Sequence, residues 1–291
     1  MNDIELLFED KFCNANISIN SKLLFLSKHK ISELYDFTNR TKLCELNTKA
    51  VIHSVFSEDG KYLALQKASS IDLYDLTDYK KIKTFLIGNS NAFCIITGNF
   101  LIYPKTDKLQ NSAVVSYNLI TQKNEILFSL PYVNISSIKR ENENIIILLH
   151  KANSDVFTVV KVSLFTSCVA ENTYEFPGHG LASVEYSDCM KKLFAVQKNM
   201  QQNNSYELYS IDIDSGEKIK IKTFNWKRNS MQLKTGNNKL YISRFFAVTV
   251  VDLLTNEENE ISVFPAALIG VCDNMDYFYT YNGEYLSLYK H

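Results

Sequence analysis

Residues 53–86 read HSVFSEDGKYLALQKASSIDLYDLTDYKKIKTFL. Over Tyr62-Leu-Ala-Leu-Gln66 and Ile71-Asp-Leu-Tyr-Asp75 apolar and polar residues alternate. A pleated strand imposes this period of two, because it sends successive side chains to opposite faces. Asp59-Gly60 is a turn signal, since glycine reaches positive φ without a Cβ clash. The stretch therefore reads as strand, tight turn, strand, short link, strand, polar turn, strand.

The end of its third strand, IDLYDLTDYKKIKTF, recurs along the chain as ELYDFTNRTKLCEL from Glu33, VVSYNLITQKNEILF from Val114, YSIDIDSGEKIKIKTF from Tyr209 and VTVVDLLTNEENEISVF from Val248. A weaker copy starts at Val159. Aligning Tyr35, Tyr74, Tyr117, Val162, Ile211, Val251 and Tyr289 gives spacings of 39, 43, 45, 49, 40 and 38 residues. A mean of about 42 is the period of four-stranded propeller blades, which cannot bury both faces alone and stack around an axis.

The last copy stops at YLSLYKH, after its third strand, while Ile4-Glu-Leu-Leu-Phe8 carries the fourth-strand pattern of Asn124-Glu-Ile-Leu-Phe128. A missing strand and a spare one agree. The expectation is an all-β fold: a seven-bladed β-propeller of four-stranded antiparallel blades over residues 1–291 as one domain, its ring closed by the N-terminal strand pairing with the C-terminal blade. Closure removes an exposed sheet edge. A rival pair of β-domains would need a Pro/Gly/Ser-rich linker. The most linker-like stretch, Lys198-Asn-Met-Gln-Gln-Asn-Asn204, falls inside a repeat and reads as a surface loop, as do residues 105–112 and 153–155.

With SEDGKYLAL at residues 57–65, the chain resembles the seven-bladed propellers of the WD-repeat-like superfamily. It departs from the family's motifs. No Gly-His pair opens a blade and no Trp-Asp closes a third strand; Tyr35-Asp36 and Tyr74-Asp75 stand nearest. The resemblance implies a rigid surface presented to other proteins.

Of 291 residues, 46% are hydrophobic and 22% charged, a composition that supports a packed core and excludes a disordered or fibrous chain. Thirty-one Lys and Arg against 32 Asp and Glu give a net charge of -1, so any basic site must be local. Neither a secretory signal nor an apolar run of membrane-spanning length is expected. Six dispersed cysteines without a C-x-x-C pair read as buried thiols in a reducing cytoplasm. Abundant Asn, Lys and Ile resemble the usage of an AT-rich, bacterial genome.

Catalytic and cofactor motifs do not emerge: there is no phosphate-cradling glycine loop, nucleophile elbow, H-E-x-x-H or zinc-type spacing, and no cofactor or metal is expected. Pro177-Gly-His-Gly180 reads as a tight turn. The carboxylate pairs Glu58-Asp59, Asp212 with Asp214 and Glu257-Glu258 fall in turns, where hydrogen bonding and solvation explain them. His29, His53, His150 and His179 map to one face of a propeller, with His53 alone on an innermost strand.

That face, formed by the loops from fourth to first and from second to third strands, gathers Lys105, Lys108, His150, Lys151, His179, Lys198, Trp226, Lys227, Arg228 and Arg244, with Lys11, Lys28, Lys49 and Lys67 beside them. The opposite face is acidic. A lone Trp between a strand and two cations has the composition of an interface hot spot; packing against a blade edge is the alternative for its indole. These residues are the candidate partner-binding set. The expected function is a non-enzymatic propeller that binds an acidic protein, such as the target of a bacterial immunity or antitoxin protein, since a charged patch steers encounter even at zero net charge. Oligomeric state is left open. The alternative is a lactonase-like hydrolase at the axial mouth, built on His53 and several carboxylates. Nucleic acid is disfavoured, because aromatic interleaving is limited to Trp226 and nearby Tyr residues.

Overall fold

The repeats fold as strands throughout. The computed structural model describes residues 5–290 apart from 13, 19, 29, 89, 91, 110, 132, 151–155, 165–168, 176–178, 188, 200–204, 226–231, 237, 245–246, 263–267, 272–276 and 282–283. Its first strand is β1 (Glu5–Asp10). Blade 1 comprises β2 (Asn14–Ser18), β3 (Leu23–Ser27), β4 (Ser32–Asp36) and β5 (Lys42–Leu46). Blade 2 comprises β6 (His53–Phe56), β7 (Tyr62–Gln66), β8 (Ser70–Asp75) and β9 (Lys80–Leu86). Blade 3 has β10 (Ile95–Thr97), β11 (Phe100–Thr106), β12 (Asn111–Asn118) and β13 (Asn124–Pro131), and blade 4 has β14 (Asn134–Glu141), β15 (Asn144–His150), β16 (Val156–Ser163) and β17 (Val169–Glu175). Blade 5 runs β18 (His179–Ser187), β19 (Lys192–Asn199), β20 (Ser205–Asp212) and β21 (Lys218–Asn225). Blade 6 runs β22 (Gln232–Gly236), β23 (Lys239–Arg244), β24 (Ala247–Asp252) and β25 (Glu258–Ser262). Blade 7 takes β26 (Leu268–Val271), β27 (Tyr277–Tyr281) and β28 (Leu286–Lys290), and β1 completes it in the order β1-β28-β27-β26. The protein is a seven-bladed β-propeller closed by its N-terminal strand.

Packing follows from the sheets having two apolar faces. Along β15, Ile145, Ile147 and Leu149 enter the seam with blade 3, while Ile146 and Leu148 enter the seam with blade 5. A strand buried on both sides reads as a continuous apolar run, and NIIILLH is one. Each of the seven core clusters among the described residues is one seam between neighbouring blades. Aromatic side chains fill several of them: Tyr117, Tyr186, Tyr206, Tyr241, Phe25, Phe194 and Phe278 are fully buried.

Five of the seven outermost pairings share an irregularity, and those of blades 4 and 6 are regular. Leu34 faces Cys44 and Tyr35 faces Lys42, which leaves Leu43 as an extra residue in β5. The same one-residue bulge leaves Ile82 extra in β9, Leu127 in β13 and Ile221 in β21. Leu7 is the extra residue in β1, between Leu6 opposite Tyr289 and Phe8 opposite Leu288. A bulge raises the local twist of a strand, and in all five cases the extra residue is Leu or Ile. The closing strand thus adopts the register of an ordinary fourth strand. Ser287 Oγ also donates to Glu9 Oε2 at 2.7 Å.

Tight turns complete the blades. Gly60, at φ +68°, lies against blade 1, and a Cβ there would stand 2.2 Å from Ser21 Cβ. Two expected loops are shorter than the sequence implied: Lys105–Thr106 and Asn111–Ser112 belong to β11 and β12, which leaves residues 107–110 as the link. The Asp107 carboxylate accepts the backbone N–H groups of Leu109 and Asn111 at 2.8 and 2.9 Å, so the link closes on itself. Lys198 and Asn199 likewise extend β19.

Deleting residues 1–9 exposes the whole edge of β28, which now pairs with β1. The truncated chain is expected to aggregate or to lose cooperative unfolding; a monomer with an unchanged melting temperature would refute closure by this strand.

Candidate functional site

Strand direction decides what each face carries. First and third strands start at the face that holds the fourth-to-first and second-to-third links, and second strands end there. His150 closes β15, His179 opens β18, Lys198 lies one residue from the end of β19, and Arg244 closes β23. Lys105 lies at the end of β11, and Lys108 in the link that follows. Topology brings these six to one side of the ring, over consecutive blades 3 to 6. Lys151, Trp226, Lys227 and Arg228 lie outside the described residues. The expected tight turn at residues 177–180 is corrected in its second half. His179 and Gly180 are strand residues facing Asn199 and Lys198, because β18 and β19 run on to pair over their whole length. His53 is therefore not alone on an inner strand.

The cations of this face differ in their surroundings. Lys28 and Lys67 fold back onto carboxylates buried in their own blades, Glu33 at 3.8 Å and Asp72 at 2.8 Å. Desolvation pushes the Asp72 pKa up, but hydrogen bonds from Lys67, Thr84 and Thr48 outweigh it and hold the group below its ordinary value. Lys11 pairs with Glu284 at 3.6 Å. Lys105 and Lys108 are exposed, and among the described residues no carboxylate lies within ion-pair distance of either. Lys11, Lys28 and Lys67 are thus held in close ion pairs, whereas Lys105 meets the Asp107 carboxylate only at longer range.

The carboxylates of the opposite face serve turns. The Asp212 side chain accepts from the N–H groups of Asp214 and Ser215 at 3.1 and 2.9 Å, and Asp252 repeats this with Leu254 and Thr255. Backbone hydrogen bonds hold both groups below the usual carboxylate range. Asp59 takes Ser57 Oγ at 2.7 Å and Lys61 N at 3.1 Å.

Sequence reasoning missed the axis. The link between β9 and β10 turns inward from Gly88, whose φ of +69° and 2.2 Å Cβ approach to the Thr106 carbonyl oxygen admit no side chain. Gln66, fully buried, then holds this link as a strand would: Nε2 donates to Ala92 O at 2.9 Å and Oε1 accepts from Cys94 N at 2.7 Å. Phe93 is delivered to the axis. It stacks on His53 of blade 2, with ring centroids 4.5 Å apart, and Lys234 Nζ of blade 6 lies 5.5 Å from its centroid. Its ring thus reaches across the axis from blade 2 to blade 6.

Beyond Phe93 the channel is charged. Lys139 on β14 pairs with Glu185 on β18 at 2.6 Å, and Lys234 on β22 lies 3.9 Å from the other Glu185 oxygen. His53 Nε2 sits 3.1 Å from the Cys94 carbonyl oxygen. A carbonyl only accepts, so Nε2 carries a proton. Burial chiefly, then the charges of Lys234 and Lys139, push the His53 pKa down to about 3, against a smaller opposite pull from Cys94. Glu185 raises the pKa of Lys234, but burial and Lys139 together leave it lowered. The described groups are two ammonium groups, one carboxylate and a neutral imidazole. Among the described residues no three His, Cys, Asp or Glu side chains are placed to hold a metal.

Neither a family model nor a curated protein sequence matches the chain. Solved structures do. A chain of the hydrazine synthase of Kuenenia stuttgartiensis superposes with a TM-score of 0.74 at 12% identity, over 99% of this chain and 97% of that one. A chain of the mitotic checkpoint complex superposes with a TM-score of 0.67 at 10% identity, over 100% of this chain and 91% of that one. At such identities the likeness is one of fold. No helix among the described residues is long and apolar enough to cross a membrane. Of the cysteines, Cys94 is buried as expected, Cys44 is half-buried and Cys189 is exposed.

Two measurements probe the axis. Gln66→Leu removes the partners of two buried backbone groups, each worth about 1–3 kcal/mol when left unsatisfied, and urea unfolding should show a loss of at least about 2 kcal/mol; an unchanged midpoint would refute the clamp. His53 protonates far less readily folded than unfolded, so its contribution is intact above pH 6.5 and lost as pH falls from there towards about 3. His53→Gln, which keeps a donor for Cys94, should lose less stability between pH 7 and pH 5 than the parent protein. The difference should approach roughly 1.4 kcal/mol per pH unit below 6.5; equal slopes would show that His53 does not resist protonation.

Proposed function

We propose that this propeller is a non-enzymatic binding protein that holds an acidic protein on its basic face, across blades 3 to 6. The carrying observation is the exposed pair Lys105 and Lys108, neither of them in a close ion pair, at one end of an arc that continues through His150, His179, Lys198 and Arg244 at the strand ends of the same side. Lys151, Trp226, Lys227 and Arg228 belong to the same links in sequence and complete the proposed surface. A rigid ring loses little conformational freedom on binding, and a local positive patch speeds encounter with an acidic partner. The propeller fold of a chain from a multi-protein complex, the mitotic checkpoint complex, is in keeping with this reading. The thiols of Cys44, Cys94 and Cys189, which form no disulfide, suit a reducing cytoplasm. Within this reading the partner is the kind of small toxic enzyme that an immunity or antitoxin protein neutralises.

Affinity purification from the native host, followed by mixing of the purified pair, tests this. The retained protein should be acidic, and a toxic enzyme should lose its activity on mixing. Trp226→Ala should weaken binding by about 2 kcal/mol or more, roughly thirtyfold, with the fold intact. Lys105→Glu with Lys108→Glu should slow association and flatten its salt dependence. If Trp226→Ala lowers the melting temperature and leaves affinity unchanged, while the charge reversals do nothing, the partner binds elsewhere.

A further inference from the structure

Exposed apolar side chains are unevenly placed on this ring. Of twelve large ones among the described residues, nine lie towards the face opposite the basic one, in third-to-fourth turns or in the first half of a fourth strand. The strand members, Leu6, Leu43, Ile82, Ile126, Val169 and Ile219, fall one to a blade. Scattered singly, such residues are ordinary on a protein surface. The other three, Ile52, Leu86 and Leu109, all stand on the basic face and all at blades 2 and 3. Leu86 at 75% and Leu109 at 73% are the most exposed of the twelve.

Backbone hydrogen bonds set the three in a row. At the inner end of blade 2, Ile52 N donates to Gln66 O at 2.9 Å. Across the turn from β7 to β8, Lys67 N donates to Ser70 O at 2.7 Å, and Ser70 faces Leu86 at the outer end of the blade. The next residue, Ile87, accepts from Thr106 N at 2.7 Å, so Leu86 and Leu109 stand on either side of one bond between blades 2 and 3. Phe85 and Ile87 enter the seam with blade 3, which turns Leu86 away from it by strand alternation. The backbone at Leu109 is fixed by the Asp107 carboxylate, which accepts from Leu109 N, Asn111 N and Asn111 Nδ2 at 2.8, 2.9 and 2.9 Å. Neither leucine therefore needs backbone ordering to bind. Exposed Lys105 and Lys108 precede Leu109, and exposed Lys49 lies three residues before Ile52.

We propose that Leu86 and Leu109 are the apolar anchor of the basic face, and that its partner meets them with a large apolar side chain flanked by carboxylates that reach Lys105, Lys108 and Lys49. This rests on the basic-face reading above and carries that surface onto blade 2. An apolar centre with a polar rim is the composition of a recognition surface. Charge and shape select the occupant. A second copy meeting this face about a two-fold axis would set lysines against lysines. Single-stranded nucleic acid is held by stacking, and aliphatic side chains offer no ring to stack on. Membrane anchoring sinks apolar side chains about 5–10 Å into the headgroup boundary, whereas Leu86 belongs to the ladder of β9 and Leu109 to a short closed link. An acidic protein segment with an apolar residue at its centre matches both the leucines and the lysines.

The test is selection of a phage-displayed library of random dodecapeptides on the immobilised full chain. Enriched peptides should combine Asp or Glu with Leu, Ile, Phe or Trp. A fluorescein-labelled copy of the most enriched peptide is then the probe, read by anisotropy. Leu86→Ser with Leu109→Ser should weaken its binding at least about tenfold at an unchanged melting temperature, since both side chains already face solvent. Lys105→Glu with Lys108→Glu should weaken it as well, and so should added salt. Ile120→Ser with Leu254→Ser, in exposed turns of the opposite face, should leave it unchanged. If the double leucine variant does not fold, Leu109→Ser alone carries the comparison. No enrichment, enriched peptides lacking acidic or apolar residues, or an affinity indifferent to the leucine substitutions would each overturn the proposal. In the last case, weakening by the charge reversals alone would leave the basic-face reading standing. Binding to phosphatidylserine vesicles, or a dimer in sedimentation, that is lost with the two leucines would also overturn it, by assigning them to a membrane or to a second copy.

Discussion

The antiparallel pairing of β1 with β28 is the constraint on which the ring depends. Six blades take all four strands from one continuous stretch of chain, whereas the seventh joins residues from opposite ends. Without it, blade 7 would present an unpaired third strand, and the seam it forms with blade 1 through Leu286, Leu288, Ala15, Ile17 and Leu24 would lack the outer strand that carries Leu7. A ring stacked this way has no end blades, so every apolar sheet face has a neighbour.

Closure works because the closing strand is interchangeable with the others. Leu7 bulges from β1 as Leu43, Ile82, Leu127 and Ile221 bulge from their own blades. The third strands opposite three of these bulges carry an acidic residue, a leucine and a tyrosine in succession: Glu33-Leu34-Tyr35, Asp72-Leu73-Tyr74 and Glu207-Leu208-Tyr209. Their carboxylates are shielded and answered by fourth-strand lysines, Lys42 at 2.9 Å, Lys81 at 3.8 Å and Lys220 at 2.6 Å. Local chemistry thus repeats with the architecture, and a buried charge meets a partner from the adjacent strand.

The strands, their period and the closing strand were legible because each is written in consecutive residues: alternation within a strand, Asp-Gly or Asx turns between strands, and the truncated last repeat. The inward course of residues 87–94 was not. Its conformation depends on Gln66, some twenty-six residues earlier in sequence, and an isolated glutamine at a strand end carries no signal of the backbone it will hold. The channel charges were hidden for another reason. Lys139, Glu185 and Lys234 have no neighbourly motif and meet only because they occupy first strands one blade apart. Their separations of 46 and 49 residues lie near the repeat period. Superposing the repeats and asking which first strands carry charge would have drawn them together. The basic face was legible as composition, but the folding back of Lys28 and Lys67 onto buried acids was not, since it depends on which side of the third strand Glu33 and Asp72 face.

The pairing of Glu5 with Lys290 also fixes an order of events during synthesis. Each of the first six blades can close on itself as soon as its own forty or so residues have emerged, through contacts short in sequence. β1 emerges first and finds its partner last. Until β28 leaves the ribosome, a strand with the apolar run Leu6-Leu7-Phe8 at its middle has no edge of its own to occupy, and the seam of blade 1 that faces blade 7 stays open to water. Contacts of such long sequence separation form slowly and leave sheet edges open to wrong partners in the interval. Elongation speed and early chaperone contact with the N-terminal segment therefore bear on the yield of this fold.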